Sequence, residues 1–165
     1  MSDERILVPE VECPIGRAVD VIGDRWTLLI LRQATLGASR FDDFRAALGI
    51  SDNILSSRLA KMVDAGLLVK VPYRDERRTR FAYRLTAASA DLLPVLHALA
   101  RWGEAHTQPG GDGPRPMKIV HIACGAEIPS GEYCPHCGRD AERAETGWLR
   151  PWRSQSPFPL AEPVA

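Results

Sequence analysis

Four side chains near the C-terminal end have the types and spacing for metal chemistry. His121 and Cys124 stand three positions apart, as do Cys134 and Cys137, and nine residues separate the two pairs. Two short pairs joined by a hairpin-length segment can bring one nitrogen and three sulfurs to a tetrahedral ion, a donor set that suits structural Zn2+. Gly125 and Gly138 follow the second member of each pair. A residue without Cβ lets the chain turn sharply there and aim N–H groups at a thiolate sulfur. Only about thirty residues surround the pairs, too few to bury much apolar surface, and a metal supplies the missing folding free energy. Two other readings are weaker. Cys134 and Cys137 as a redox pair would need a βαβ frame for which the segment is too short. A catalytic zinc would keep an open position, whereas four protein ligands close the site. His136 could replace His121 but lies inside the tight turn between two ligands. No paired carboxylates, nucleophile elbow or phosphate loop accompany the cluster, so the expectation is a protein that is not an enzyme.

A second chemistry lies in the middle of the chain. Between Ser51 and Arg84 there are eight bases and four acids, a local excess of +4 in a chain of zero formal net charge. Positive charge gathered on one helix and one hairpin is the footprint of a phosphate-binding face. At about 100° per residue, Leu55, Leu59, Met62 and Val63 share one side of a helix over 52–65, the side that must enter the core. Asn53, Ser57, Ala60, Lys61 and Asp64 take the opposite side, with Ser56 on its flank. Small hydrogen-bonding residues there let a helix lie close in the major groove and reach base edges. An amphipathic helix with a wetted face would look the same; the sign of the local charge separates the two. Arg77 and Arg78, at a hairpin tip, can enter a minor groove or pair with phosphates.

The elements that must position these groups follow from the punctuation of the sequence. Pro14, just after Cys13, opens a helix. Gly23 interrupts it, and Asp24 can cap a second helix, apolar on nearly every face and therefore central, that ends at Gly37. A short amphipathic helix covers 40–48. Ser51 is placed to cap the helix that runs to Ala65 and stops at Gly66. The period then changes to that of strands over 67–73 and 80–85, joined by a charged tip. Thr86 opens a long helix through Trp102, in which Pro94 is a point for a bend. Helix, helix, turn, helix, hairpin, helix is the order of a winged helix-turn-helix domain, so the fold class is α+β, mainly α, followed by a zinc-ribbon-like module. Three Gly and three Pro within 107–116 mark a linker. The division is 1–106 for the winged helix-turn-helix and dimerisation domain, 107–116 for the linker and 117–150 for the ribbon. Residues 151–165, with four prolines, read as a flexible tail.

Several spaced motifs carry a resemblance. Cys13–Pro14, Ile22–Gly23, the run Trp26 to Arg32, Arg40–Phe41, Leu55–Ser56 with Arg58–Leu59, Ala65 to Leu67, and Tyr83 with Leu85–Thr86 together resemble the HxlR family of transcriptional regulators, relatives of the MarR winged-helix proteins. The match covers about residues 12–104. It implies a DNA-binding regulator, read as a repressor, that forms a homodimer through the first and last helices of the module and binds a two-fold related operator. The expected DNA contacts are Arg40, Asn53, Ser56, Ser57, Lys61, Arg77, Arg78 and Arg80, with helix 52–65 in the major groove and wing 74–80 on the backbone or minor groove. The alternative is a winged-helix interaction module of the transcription machinery that presents its zinc ribbon to a protein. Cys13 sits where unpaired N–H groups and the helix dipole favour a thiolate. It serves either as a small capping residue or, as in relatives, as a redox or electrophile sensor.

Composition bounds the remaining classes. The chain has 165 residues, 45% apolar and 25% charged, with 21 bases against 21 acids. It is globular rather than disordered, and a uniformly basic nucleic-acid sheath is excluded. No apolar stretch is long enough to span a bilayer, and Met1 to Glu12 lacks the basic flank and apolar core of a secretory signal. Cysteines without an export signal are expected to stay reduced, which points to the cytoplasm. A small-molecule effector is compatible with all of this but has no signature in the sequence.

Overall fold

A computed structural model describes residues 13–75, 78–108 and 116–164. Two helices open the chain, α1 (Pro14–Ile22) and α2 (Arg25–Thr35). Asp24 separates them as expected: its carboxylate accepts from the Trp26 and Thr27 N–H groups at 3.0 and 3.1 Å and from the Thr27 hydroxyl. These bonds satisfy donors that the first turn leaves without partners. Helices α3 (Phe41–Leu48) and α4 (Asp52–Asp64) form the turn and the helix that follows it. Gly49 joins them at φ 61°, a backbone region that favours a residue without Cβ. Ser51 is the residue before α4, but its hydroxyl makes no capping bond.

Strands β1 (Leu68–Asp75) and β2 (Arg78–Leu85) make the antiparallel wing, in register from Leu68 opposite Leu85 to Asp75 opposite Arg78. The expected single helix after Thr86 is two pieces, α5 (Ala87–Ala90) and α6 (Leu93–His106). Pro94 therefore lies in the first turn of a new helix, where its missing N–H costs nothing, and it does not bend an old one. The core of this module is Ile30, Leu31, Ala34, Phe44, Ile50, Leu55, Leu59, Met62, Leu67, Leu68 and Leu85. It presses the apolar stripe of α4 inward and leaves the opposite face in water.

The C-terminal module contains a three-stranded sheet of β3 (Lys118–His121), β6 (Thr146–Leu149) and β7 (Phe158–Pro159), with β6 in the centre. A small hairpin of β4 (Tyr133–Cys134) and β5 (Arg139–Asp140) completes it. Its core, Ile119, Ile128, Cys134, Trp148 and Leu160, is shared with Leu36 at the end of α2 and with Leu93 and Leu96 of α6. The ribbon therefore leans on the helical module. The buried Trp148 indole N–H donates to His97 Nε2 of α6 at 2.9 Å, Arg101 donates to the Pro129 carbonyl at 3.0 Å, and the Met117 N–H donates to Glu104 at 2.9 Å. Burial, with Arg101 and Arg143 nearby, pushes the His97 pKa down to about 4.

The expectation of a flexible tail fails for 151–164. Beyond β7, Leu160 is buried, the Ala161 N–H donates to the Thr35 carbonyl at 2.8 Å, and the Val164 N–H donates to the Leu85 carbonyl at 2.9 Å. Prolines prevent a regular element, but N–H groups between them still find partners across the fold. Residues 109–115 of the expected linker lie outside the described residues.

Candidate nucleic-acid interface and metal centre

On α4 the side chains of Asn53, Ser56, Ser57 and Lys61 are all exposed, while Leu55, Leu59 and Met62 behind them are closed to solvent. The helix thus presents one hydroxyl- and amide-bearing surface. Beside it, the wing's cations divide into held and unheld. Arg80 reaches Asp75 at 3.3 Å and Asp42 at 3.6 Å. Arg58, on the flank of α4, reaches Asp24 at 3.5 Å. Lys70 lies 5.9 Å from the ring centres of both Phe81 and Tyr83. Lys61, Arg74, Arg78 and Arg84 have no acid within ion-pair distance among the described residues, and all four are exposed. Arg40 precedes α3, its guanidinium 4.7 Å from the Tyr73 ring of β1, which steadies an exposed cation between the turn and the wing. Arg77 lies outside the described residues. Spacing did not reveal Tyr73 as the platform for Arg40, because the two come from elements that meet only in the fold.

The four metal-type residues converge. One ligand atom from each of His121, Cys124, Cys134 and Cys137 lies within 4.8 Å of all the others. His121 Nδ1 is 3.2 Å from Cys124 Sγ and 3.4 Å from Cys137 Sγ, and Cys124 Sγ is 3.5 Å from Cys134 Sγ. Bond lengths of about 2.0–2.3 Å to a tetrahedral zinc give ligand-to-ligand edges of roughly 3.5–3.8 Å, close to these separations. The sulfurs are too far apart to be bonded to one another, and all the cysteines are free thiols. Each pair sits on a turn of the same build: the Gly125 N–H donates to the His121 carbonyl at 2.7 Å, and the Gly138 N–H to the Cys134 carbonyl at 2.9 Å. The Cys137 N–H donates to Cys134 Sγ at 3.4 Å. His136 is exposed, with its Nδ1 4.0 Å from Cys137 Sγ and outside the cluster.

The electrostatics suit a bound cation. Burial pushes the Cys134 thiol up, but donation from the Cys137 N–H and from the Cys124 and Cys137 thiols outweighs it and holds Cys134 at about 6. Cys137, donating to Cys124 beside other sulfur charge, is pushed up to about 11. Three sulfurs cannot share one pocket as anions without positive charge among them. His121 is fully enclosed, and its Nε2 has no hydrogen-bond partner; the nearest acid, Glu145, is 3.8 Å away. Arg139 grips Glu145 through two bonds of 2.8 and 2.6 Å, which hold that carboxyl at about 2. A carboxylate behind the outer nitrogen of a ligating imidazole fixes its ring and tautomer. Neither Glu145 nor Arg139 belongs to the spaced pairs, so the sequence offered no signal for them.

Cys13 is half-buried at the start of α1, where its sulfur accepts from the Gly16 N–H at 3.5 Å, a capping contact. No residue of α1 is buried: Ile15 is 73% and Val19 57% exposed. On α6, Val95, Leu99 and Trp102 are exposed as well. No helix among the described residues is long and apolar enough to cross a membrane.

Comparison with known proteins places this architecture. An uncharacterized HTH-type transcriptional regulator of Mycobacterium tuberculosis (strain ATCC 25618 / H37Rv) is 42% identical over 126 residues, covering 76% of this chain and 78% of that protein. Another from Bacillus subtilis (strain 168) is 34% identical over 99 residues, covering 59% of this chain and 91% of its own length. Among solved structures, the crystal structure of PA1607 matches with TM-score 0.64 and 34% identity, covering 79% of this chain and 89% of that one. The reduced form of the redox regulator HypR matches with TM-score 0.52 and 26% identity, covering 56% and 91%. The family model described as HxlR-like helix-turn-helix matches residues 21–110, and the chain belongs to that family.

Proposed function

We propose that this protein is a sequence-specific, DNA-binding transcriptional regulator that works as a homodimer and represses by occupying a two-fold related operator. The observation that carries the reading is the surface of α4 and the wing: exposed hydrogen-bonding side chains on one helix face, flanked by cations that meet no acid at ion-pair distance among the described residues. Asn53, Ser56 and Ser57 would read base edges, while Lys61, Arg74 and Arg78 hold phosphates. Arg40, steadied on Tyr73, and Arg80 would add further phosphate contacts. The apolar faces of α1 and α6 would pair with a second copy, which gives Ile15, Val19, Leu99 and Trp102 the cover they lack in one chain. Such a regulator acts in the cytoplasm, where the chromosomal DNA lies.

The metal in the ribbon would be Zn2+, held by His121, Cys124, Cys134 and Cys137 in a closed structural site with no open position for catalysis. Cys13 would serve as a redox sensor beside its capping role, a reading that leans on the redox regulator HypR among the structural relatives. If so, mild oxidant lowers the DNA affinity of the native protein and leaves Cys13→Ser unchanged; equal loss in both restricts Cys13 to capping. The regulator reading is tested by a gel-shift titration on DNA upstream of its own gene against random duplex, at two salt concentrations. Tighter binding to the upstream DNA, with Asn53→Ala and Ser57→Ala eroding that preference, is expected. Equal affinity for both DNAs would refute it.

A further inference from the structure

Among the described residues four arginines are partly buried, and two of them have an oxygen to hold. Arg58 reaches Asp24, and Arg143 donates to the Ala161 carbonyl at 2.8 Å and the Ala90 carbonyl at 3.3 Å. Arg32 and Arg150 do not. Both are partly buried, neither has an acid within ion-pair distance among the described residues, and Arg32 Nε is enclosed without any hydrogen-bond partner. They also repel one another. Arg32 feels the charge of Arg153, and Arg150 feels both Arg32 and Arg153.

The fold brings them together from distant segments. Arg32 lies in the last turn of α2. The C-terminal segment is pinned beside it by the Ala161 bond to the Thr35 carbonyl and by Leu36 in the second core. Arg150 and Arg153 stand at the two ends of one turn, closed by the Arg153 and Ser154 N–H groups donating to the Arg150 carbonyl at 2.8 and 3.0 Å. The Arg150 guanidinium is aimed by two rings, with its centre 5.6 Å from Trp152 and 5.9 Å from Phe158. A helix C-terminus favours one cation, which accounts for Arg32 alone. It does not account for two more that approach from the tail. Two of these guanidinium groups are partly desolvated, the third is exposed, and none has an acid within ion-pair distance among the described residues. They oppose each other more strongly than they would in open water, and an oxyanion among them reverses the sign of the interaction.

We propose that Arg32, Arg150 and Arg153 form a binding site for a phosphate group. A carboxylate brings one negative charge on two oxygens, whereas a phosphate group brings up to two charges on three or more oxygens, which suits a cluster of several guanidinium groups better. The group belongs to a small phosphorylated molecule that binds where the C-terminal segment meets α2, outside the α4 and wing surface; a phosphodiester of bound DNA is the other source of the same chemistry.

The test is isothermal titration of inorganic phosphate into the full-length protein, without DNA, at constant ionic strength set with chloride. Saturable binding at one site per chain is expected, weakened at least about tenfold by Arg150→Gln and by Arg153→Gln. Arg150→Lys should weaken it too, because the charge remains and the fork is lost. Arg153 is exposed, so its replacement leaves the fold intact even if Arg32→Gln unfolds the protein. No phosphate binding, with the same variants lowering affinity for random duplex and its salt dependence, assigns the site to a DNA phosphate. Phosphate binding that ignores all the variants, or no effect in either titration, overturns the proposal.

Discussion

The salt dependence of DNA binding can be worked out from which cations are already paired. Lys61 and Arg78 are exposed and meet no acid among the described residues, whereas Lys118, on the ribbon, is bound to Glu127 at 3.1 Å. Each phosphate neutralised on B-DNA adds about 0.9 to the slope of log affinity against log salt, because a condensed counterion is released. A homodimer carries each side chain twice, so Lys61→Ala or Arg78→Ala should reduce the slope by about 1.8. Between 50 and 200 mM salt, native protein would then lose about twelvefold more affinity than either variant. Lys118→Ala should leave the slope unchanged. Fluorescence anisotropy on a labelled random duplex at four salt concentrations reads all three. The reasoning fails if Lys118→Ala flattens the slope as much as Lys61→Ala, or if neither α4 nor wing variant changes it. A change near 0.9 in place of 1.8 would retain the DNA face and reject the paired copy.

Three further outcomes follow from other parts of the fold. Elemental analysis of purified protein should find close to one zinc per chain, and none in Cys134→Ser, which removes the fully buried thiol among the ligands; metal-free native protein with all its thiols titratable would refute the site. His97 titrates at about 4 in the fold against 6.5 ordinarily, so the unfolded chain takes up the proton first as pH falls. Stability present above about pH 6.5 is therefore lost on the way down to about pH 4, a total of about 3 kcal/mol. His97→Gln keeps an acceptor for Trp148 and should remove that loss, and identical pH dependence of denaturant unfolding in both proteins would count against it. Trp102, 61% exposed on α6, should be covered in the dimer. Trp102→Glu should therefore shift light-scattering mass to that of one chain, and an unchanged dimer would move the interface elsewhere.

What was legible in the sequence was local. Asp24, Gly49 and Gly66 mark helix boundaries because capping and positive φ are decided within a few residues, and the stripe of Leu55, Leu59 and Met62 fixes which side of α4 enters the core. The four metal-type residues were legible for the same reason, since two tight turns place each pair. What the sequence hid depends on partners far along the chain. The tail was read as loose because prolines prevent regular elements, yet its N–H groups bond to Thr35 and Leu85. The bond between Trp148 and His97 spans fifty-one positions, and Arg139 meets Glu145 only after the ribbon closes. Arg80 stands among the expected DNA contacts, but Asp42 and Asp75 already share its charge. A composition-level excess of +4 says nothing of such pairings.

A hydroxyl-radical footprint on a DNA fragment selected by the protein from its own genome tests most directly whether α4 reads DNA as one of two related copies. Two protected segments related by a dyad should appear, their centres one helical turn of about 10–10.5 base pairs apart or a whole multiple of it. A single protected segment, or protection without any fixed sequence, would contradict that arrangement.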